Sequence, residues 1–356
     1  MSMTSPSGTA GTTTRAGGAG TAGALRRVAL PLLAGALALA ACAAPVETAA
    51  PGAETSPAAA PAASTEVTCN PVATASYPPL PTTPAPGKMP SGTLMRTIAD
   101  RGYLVVGVSG DTRLLGARNM LNDGKLEGFD IDLAREVAAA IFGDGSDAHI
   151  RFRVITAGQR IPLVNAGAGT RSAPGAGVDL VARAMTMTCD RWNGTERVAF
   201  SSVYLMAHQR LLVRSDSALT SLQALAGARS RVCAPTGSTS LARIAQVDGI
   251  TPVGAPIHSD CLALWQEGKV DAITGDDAIL AGFAAQDPGA RVVGTPLEDE
   301  PYGLAVAADH PEFARFLNNV LERVRADGTW DTLYSRWLRP SLGAPATPAP
   351  DYGRTP

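Results

Sequence analysis

The chain has 356 residues, 45% hydrophobic and 17% charged, and its 30 basic and 32 acidic side chains leave a net charge of −2. That length accommodates two to three domains. The near balance of charge gives no support for nucleic-acid binding or a polybasic membrane surface, and the 37 Gly and 27 Pro carry no collagen period.

Residues 1–24 are mostly Gly, Ala, Ser and Thr with almost no bulky apolar side chains, so they are expected to be disordered. Arg26-Arg27 then precede an apolar run at 28–41, short of the roughly 20 residues a bilayer span needs. A basic flank before a short apolar segment reads as a secretory signal, which makes 1–41 a disordered leader and signal peptide. The run closes as Leu39-Ala40-Ala41-Cys42. This resembles the bacterial lipobox, in which small residues precede a Cys that is diacylated and becomes the mature N-terminus. The resemblance implies a lipid anchor at Cys42 on the extracytoplasmic face of the cell membrane. Residues 42–93, mostly Ala, Gly, Pro, Ser and Thr, read as a lipidated, semi-extended tether.

The folded body is expected over 94–340. Residues 103–108 are a short apolar run of β-formers, a buried strand. Asp130 stands where it can cap a helix over 131–142, whose apolar positions 131, 134, 137, 138, 141 and 142 share one face and which Gly143 stops. Strands at 150–155 and 178–183 flank a Gly- and Ala-rich stretch, 167–177, that reads as a surface insertion. Further strands fall at 210–213, 231–234, 270–274, 291–293 and 302–307, with helices near 221–226, 239–247, 260–267 and 277–285. Pro311 opens an amphipathic helix over 311–326 that ends at Asp327-Gly328, and 329–338 is a last short helix. The tail 341–356, rich in Pro and Ala, is expected to be disordered. This alternation implies α/β layers with mostly parallel sheets, and its length implies two lobes.

With Cys42 set aside, Cys69, Cys189, Cys233 and Cys261 remain, an even number that suggests two disulfides among three possible pairings. Cys233 and Cys261 fall in one lobe and are expected to pair, which leaves Cys69 to staple the tether to Cys189. The sequence has no Cys-x-x-Cys and no His at metal-ligand spacing, so neither a zinc site nor another cofactor is expected.

Three segments carry chemistry. Pro235-Thr236-Gly237-Ser238-Thr239 follows a strand and opens a helix, offering N–H groups and hydroxyls to an anion such as a carboxylate, although Ser and Thr are also ordinary helix caps. It lacks the Gly-Lys-Ser/Thr of a phosphate-binding loop. Thr186-Met187-Thr188-Cys189-Asp190-Arg191 places a hydroxyl near a guanidinium fork suited to a carboxylate, or an Arg in a surface ion pair. Val270–Asp277, read as 270–277, brings Asp276 and Asp277 to the end of an apolar strand, where ligands bind in open α/β sheets and where either Asp can equally cap the next helix. His149, His208, His258 and His310 stand in no motif and are expected to be structural or exposed.

In this order these segments resemble the family 3 extracellular solute-binding proteins, the polar amino-acid receptors of ABC transporters. The resemblance covers 94–340. It rests on Leu104-Val105-Val106-Gly107-Val108, Glu127-Gly128-Phe129-Asp130-Ile131-Asp132-Leu133-Ala134, Val178-Asp179-Leu180-Val181 and the Thr-Met-Thr-x-x-Arg segment. Val198-Ala199-Phe200-Ser201-Ser202-Val203-Tyr204, Gly237-Ser238-Thr239, 270–277, Pro301-Tyr302-Gly303-Leu304-Ala305-Val306 and Gly328-Thr329-Trp330 continue it. With the lipobox it looks like actinobacterial glutamate- or glutamine-binding lipoproteins. It implies an α/β, two-lobed fold of the periplasmic-binding-protein type II with two hinge crossings, near 205–210 and 299–303. Lobe 1 would span 94–206, lobe 2 207–300, and 301–340 would return to lobe 1. Closure on the ligand would be a hinge motion.

The same resemblance implies that Arg191 grips the ligand α-carboxylate, helped by Thr186, Ser238 and Thr239. Asp276 would hold the α-ammonium, and Ala184 would contribute its backbone. Gln159-Arg160-Ile161-Pro162-Leu163 resembles the segment whose Arg grips a side-chain carboxylate in glutamate/aspartate receptors, and Arg113 or Arg118 could add to that pocket. A second buried cation favours an acidic ligand over glutamine. The expectation is a lipid-anchored receptor that binds glutamate or aspartate and delivers it to an ABC permease, with no catalysis and no nucleic-acid partner. The alternatives are a sensor signalling to a membrane protein or kinase pathway, and glutamine-specific uptake. An enzyme on the same scaffold would need a general acid or base that no motif supplies.

Overall fold

The structure, a computed structural model, describes residues 73–170, 172–344 and 346–355. The expected leader, signal, Cys42 and Cys69 lie outside the described residues. α1 (Leu94–Arg101) starts at Thr93, whose Oγ accepts from the Arg96 amide at 3.2 Å, and ends at left-handed Gly102. β1 (Leu104–Val108) leads to a small meander of β2 (Asp111–Thr112), β3 (Gly116–Asn119) and β4 (Lys125–Glu127). α2 (Phe129–Phe142) buries Ile131, Ala134, Val137, Ala138 and Ile141, the face set by the apolar spacing, and stops at Gly143. Asp130 does not cap it. Gly128 holds the cap position at φ 138°, where a Cβ would lie 2.3 Å from the Leu115 carbonyl oxygen, and Asp130 turns inward.

β5 (Ile150–Val154), α3 (Arg160–Ala166), β6 (Leu180–Val181), α4 (Cys189–Asn193) and β7 (Val198–Phe200) complete the first pass through one lobe. The other lobe holds β8 (Leu205–Arg214), α5 (Leu222–Gly227), β9 (Arg231–Pro235), α6 (Thr239–Ile244), β10 (Thr251–Ala255), α7 (His258–Gln266), β11 (Ala272–Asp276), α8 (Asp277–Ala284) and β12 (Ala290–Val293). The chain returns through β13 (Asp299–Tyr302) to β14 (Ala305–Ala307), α9 (Pro311–Ala326), α10 (Thr329–Trp337) and α11 (Arg339–Leu342).

One sheet has the order β5-β1-β6-β14-β7, the other β10-β9-β11-β8-β12. Both are mixed. β1 is parallel to β5 and β6, and β9 to β10 and β11, whereas β14 and β8 run antiparallel to their neighbours. The reason is connectivity: β8 and β14 enter their sheets from the hinge rather than from a helical crossover, so the direction a crossover would impose is absent. The first half of β8 pairs with β13, Leu205 opposite Tyr302 and His208 opposite Asp299, and the second half pairs with β11. These two strands are the hinge of a two-lobed fold.

Two segments expected outside the folded body are bonded to it. Residues 73–93 strap across α9, where Asn318 Nδ2 donates to the Tyr77 carbonyl at 2.6 Å and the Leu80 amide donates to Asn319 Oδ1 at 2.9 Å. The tail 346–355 lies along this strap: the Ser76 amide donates to the Asp351 carbonyl at 2.8 Å, and the Arg354 amide to the Ser76 carbonyl at 3.0 Å. The Arg354 guanidinium carbon stands 3.8 Å from the centroid of the Trp192 ring, whose edge meets Tyr77. Pro-rich composition says only that a segment builds no core of its own. Its carbonyls remain good acceptors, and an existing helix face supplies the donors.

Cys233 on β9 and Cys261 on α7 are joined, as the lobe assignment predicts. Cys189 is also disulfide-bonded, and Cys69, the partner expected for it, lies outside the described residues. Closing a 28-residue separation stabilises by about 3–4 kcal/mol in the chain-entropy model. Replacing both Cys233 and Cys261 with Ser is expected to lower unfolding free energy by that order in a urea titration; an unchanged midpoint would contradict it.

Candidate functional site

Where the loops after β1, β6 and β9 meet the end of β11 and the start of α7, an enclosed cavity of about 20 Å³ lies between the lobes. That is room for about one water molecule, so entry of anything larger requires the lobes to part. Arg160, Arg183, Ala184 and Thr186 line it from the first lobe, and Ser238, Thr239, His258 and Asp276 from the second. A wider space of about 690 Å³ adjoins it, lined by Arg191, Gln209 and Glu300 and sharing Thr186, Ser238 and Thr239.

Asp276 is the last residue of β11 and is buried. It accepts from the Tyr302 hydroxyl and, at 3.4 Å, from Ser240 Oγ. Burial, then the charge of Glu300, pushes its carboxyl well above the usual range. A carboxylate so placed gains from any cation that reaches it. Asp276 lines the cavity rather than acting as a side-chain cap: it makes no capping bond to α8.

Arg191, on α4, is buried and donates through Nη1 to the Thr186 carbonyl at 2.6 Å. Burial lowers its pKa, and the charge of Glu300, then that of Asp276, raises it in part. Glu300, on β13, accepts from both Thr186 Oγ and Thr239 Oγ, the latter at 2.9 Å. The two hydroxyls expected to help Arg191 thus meet at a hinge carboxylate that links lobe to lobe. Ser238 has a second occupation. Its Oγ accepts from the Leu241 amide at 3.1 Å, which caps α6, and donates to the Pro235 carbonyl.

Arg160 differs from expectation. Four of its five N–H donors go to backbone carbonyls: Nε to Ala157 at 2.9 Å, Nη1 to Ala184 at 2.9 Å and Arg183 at 3.4 Å, and Nη2 to Gly237 of the opposite lobe at 3.1 Å. It is a latch between lobes first. Arg113 is exposed and lines neither space; the loop after β2 sets it against Gly282 on α8. Arg118 is likewise exposed, its Nη1 on the Gly124 carbonyl.

Ala184 has φ 40°, in the left-handed region. Its amide donates to Asp130 Oδ2 at 2.9 Å and its carbonyl accepts from Arg160. Asp130 also accepts from the Tyr204 hydroxyl at 2.8 Å, so the residue misread as a cap is what pins this turn. Burial raises its carboxyl from 3.8 to about 6. A carboxyl raised in the folded state contributes stability that is full below pH 3.8 and is lost as pH rises through about 6, a span worth about 3 kcal/mol. Asp130→Asn is therefore expected to gain on the wild type by up to about that amount between pH 4 and pH 7.5 in thermal unfolding. A difference independent of pH would contradict it.

Sequence reasoning missed Arg183, Glu300, Tyr302 and His258. Arg183 closes an apolar strand and so reads as a strand end, whereas Glu300 and Tyr302 flank Pro301 in the stretch 299–303, which reads as a hinge crossing.

A model of the bacterial extracellular solute-binding proteins, family 3, matches residues 104–340. The chain belongs to that family. It is 34% identical over 246 residues to the ABC transporter glutamine-binding protein GlnH of Bacillus subtilis, covering 69% of this chain and 84% of that protein. It is 31% identical over 267 residues to the glutamate-binding protein GluB of Corynebacterium efficiens, covering 72% and 84%. Among solved structures, an ArgBP mutant from T. maritima superposes with a TM-score of 0.60 at 28% identity, over 68% of this chain and 98% of that one. A solute receptor for L-cysteine of Neisseria gonorrhoeae, at 22% identity and a TM-score of 0.62 over 70% and 95%, shares the fold. Members of this solute-binding family are receptors that hold and release a solute, not enzymes. Among the described residues no helix is long and apolar enough to cross a membrane.

Proposed function

We propose that this solute-binding protein receives an acidic amino acid, glutamate or aspartate, and delivers it to an ABC permease. The observation that carries the reading is the charge of the enclosed cavity. Arg160 and Arg183 both line it, but Arg160 is committed to backbone carbonyls and faces the charge of Asp276, which leaves Arg183 as the guanidinium open to a ligand; His258 is held neutral with its pKa pushed down to about 3, chiefly by burial. A zwitterion bearing one further negative charge neutralises that wall; glutamine does not. The α-ammonium goes to Asp276. The α-carboxylate goes to Arg191 and the hydroxyls of Thr186 and Thr239, taking the place Glu300 holds. Ser238 and the Ala184 carbonyl frame the site. The glutamate-binding relative supports this, and the Leu39-Ala40-Ala41-Cys42 pattern supports a lipid anchor on the extracytoplasmic face.

Glutamine uptake is the second reading, favoured by the 34% identity to a glutamine-binding protein. Titration calorimetry of the wild type with L-glutamate, L-aspartate, L-glutamine and L-asparagine separates them. The acidic pair is expected to bind more tightly; tighter binding of glutamine would overturn the acidic reading.

A further inference from the structure

Among the described residues, two polar atoms on the cavity wall are buried without a hydrogen bond: Nη2 of Arg183 and Nδ1 of His258. They come from opposite lobes. Arg183 follows β6 and is fixed by its Nε, which donates to the Ile155 carbonyl at 2.8 Å. His258 is the first residue of α7. The start of that helix is held over the first lobe by Asp111, which accepts from the Ser259 amide at 2.9 Å across the cleft and from Ser109 Oγ at 2.8 Å. The charge of Asp111 acts on both residues, but its hydrogen bonds go to those two donors and the outer guanidinium nitrogen of Arg183 has none. A buried donor left unmade is expensive, and a buried guanidinium more so than a neutral group. Arg160, by contrast, has four of five donors committed.

We propose that Arg183 and His258 are the specificity-determining pair for the ligand's side chain, Arg183 pairing with its carboxylate and His258 Nδ1–H donating to it from the other lobe. This rests on the acidic-ligand reading above. Arg183 does the discriminating: a carboxylate answers the guanidinium with charge and two acceptor oxygens, whereas an amide turns an NH2 group toward donors and leaves one unmade. His258, neutral, reports that the second lobe has closed. A ligand that lacks a side-chain acceptor leaves both atoms unpaired and favours the open form.

The test is calorimetry of the full-length wild type, Arg183→Gln, His258→Ala and Arg160→Ala with L-glutamate and L-glutamine. Arg183→Gln is expected to weaken glutamate by about 100-fold and glutamine by less than about 3-fold. His258→Ala, which breaks no hydrogen bond of Nδ1 and so keeps the test open where Arg183→Gln fails to fold, is expected to weaken glutamate by about 10-fold and spare glutamine. Equal losses for both ligands in these variants, or a selectivity change in Arg160→Ala alone, would overturn the assignment while leaving an acidic receptor intact. A wild type that prefers glutamine would overturn both.

Discussion

Arg191→Ala is expected to abolish binding of every amino acid, by about a thousandfold or more. The side chain is buried, donates to the Thr186 carbonyl and feels the charge of Glu300, which itself accepts from the hydroxyls of Thr186 and Thr239. Removing the arginine of a buried, hydrogen-bonded pair with the ligand carboxylate costs about 2–5 kcal/mol, which at about 1.4 kcal/mol per decade is roughly 30- to 4,000-fold. The loss falls at the upper end here, because Glu300 is left as a buried carboxylate without the cation that offsets its desolvation. The α-carboxylate is common to all amino acids, so glutamate and glutamine should lose alike in calorimetry. Wild-type affinity for any one of them would contradict the role.

Arg160→Ala is expected to weaken glutamate and glutamine equally, by about 100-fold, and to lower thermal stability. This reverses what its sequence context suggests. Its guanidinium holds the carbonyl of the left-handed residue Ala184 and, across the cleft, that of Gly237. Its removal opens a buried hole and frees four backbone acceptors, at about 3–5 kcal/mol for a broken buried network. Part of that weakens the first lobe; the Gly237 part weakens closure, which every ligand needs. A larger loss for glutamate than for glutamine would return Arg160 to side-chain recognition.

These two arginines illustrate what the sequence could and could not convey. Family, two-lobed fold and the gathering of Arg191, Thr186, Thr239 and Asp276 around adjoining spaces were legible because each lies in a short ordered motif. What a guanidinium bonds to was not, since Arg160 and Arg183 differ in backbone partners that lie as many as 77 residues apart in sequence. Asp130 looked like a cap because spacing alone places it before a helix; only the approach of Gly128 to Leu115 moves the cap and turns the carboxylate inward. Mixed sheet direction was likewise illegible, because it follows from the hinge rather than from local pattern. The strap and tail were hidden by composition, which carries no record of the α9 face that receives them.

The most direct test of the central claim is a crystal structure grown with L-glutamate. The ligand is expected between the lobes, its α-carboxylate within hydrogen-bond distance of Arg191, its ammonium on Asp276 and its side-chain carboxylate toward Arg183. A ligand bound in the reverse orientation, or away from Arg191 and Asp276, would contradict it.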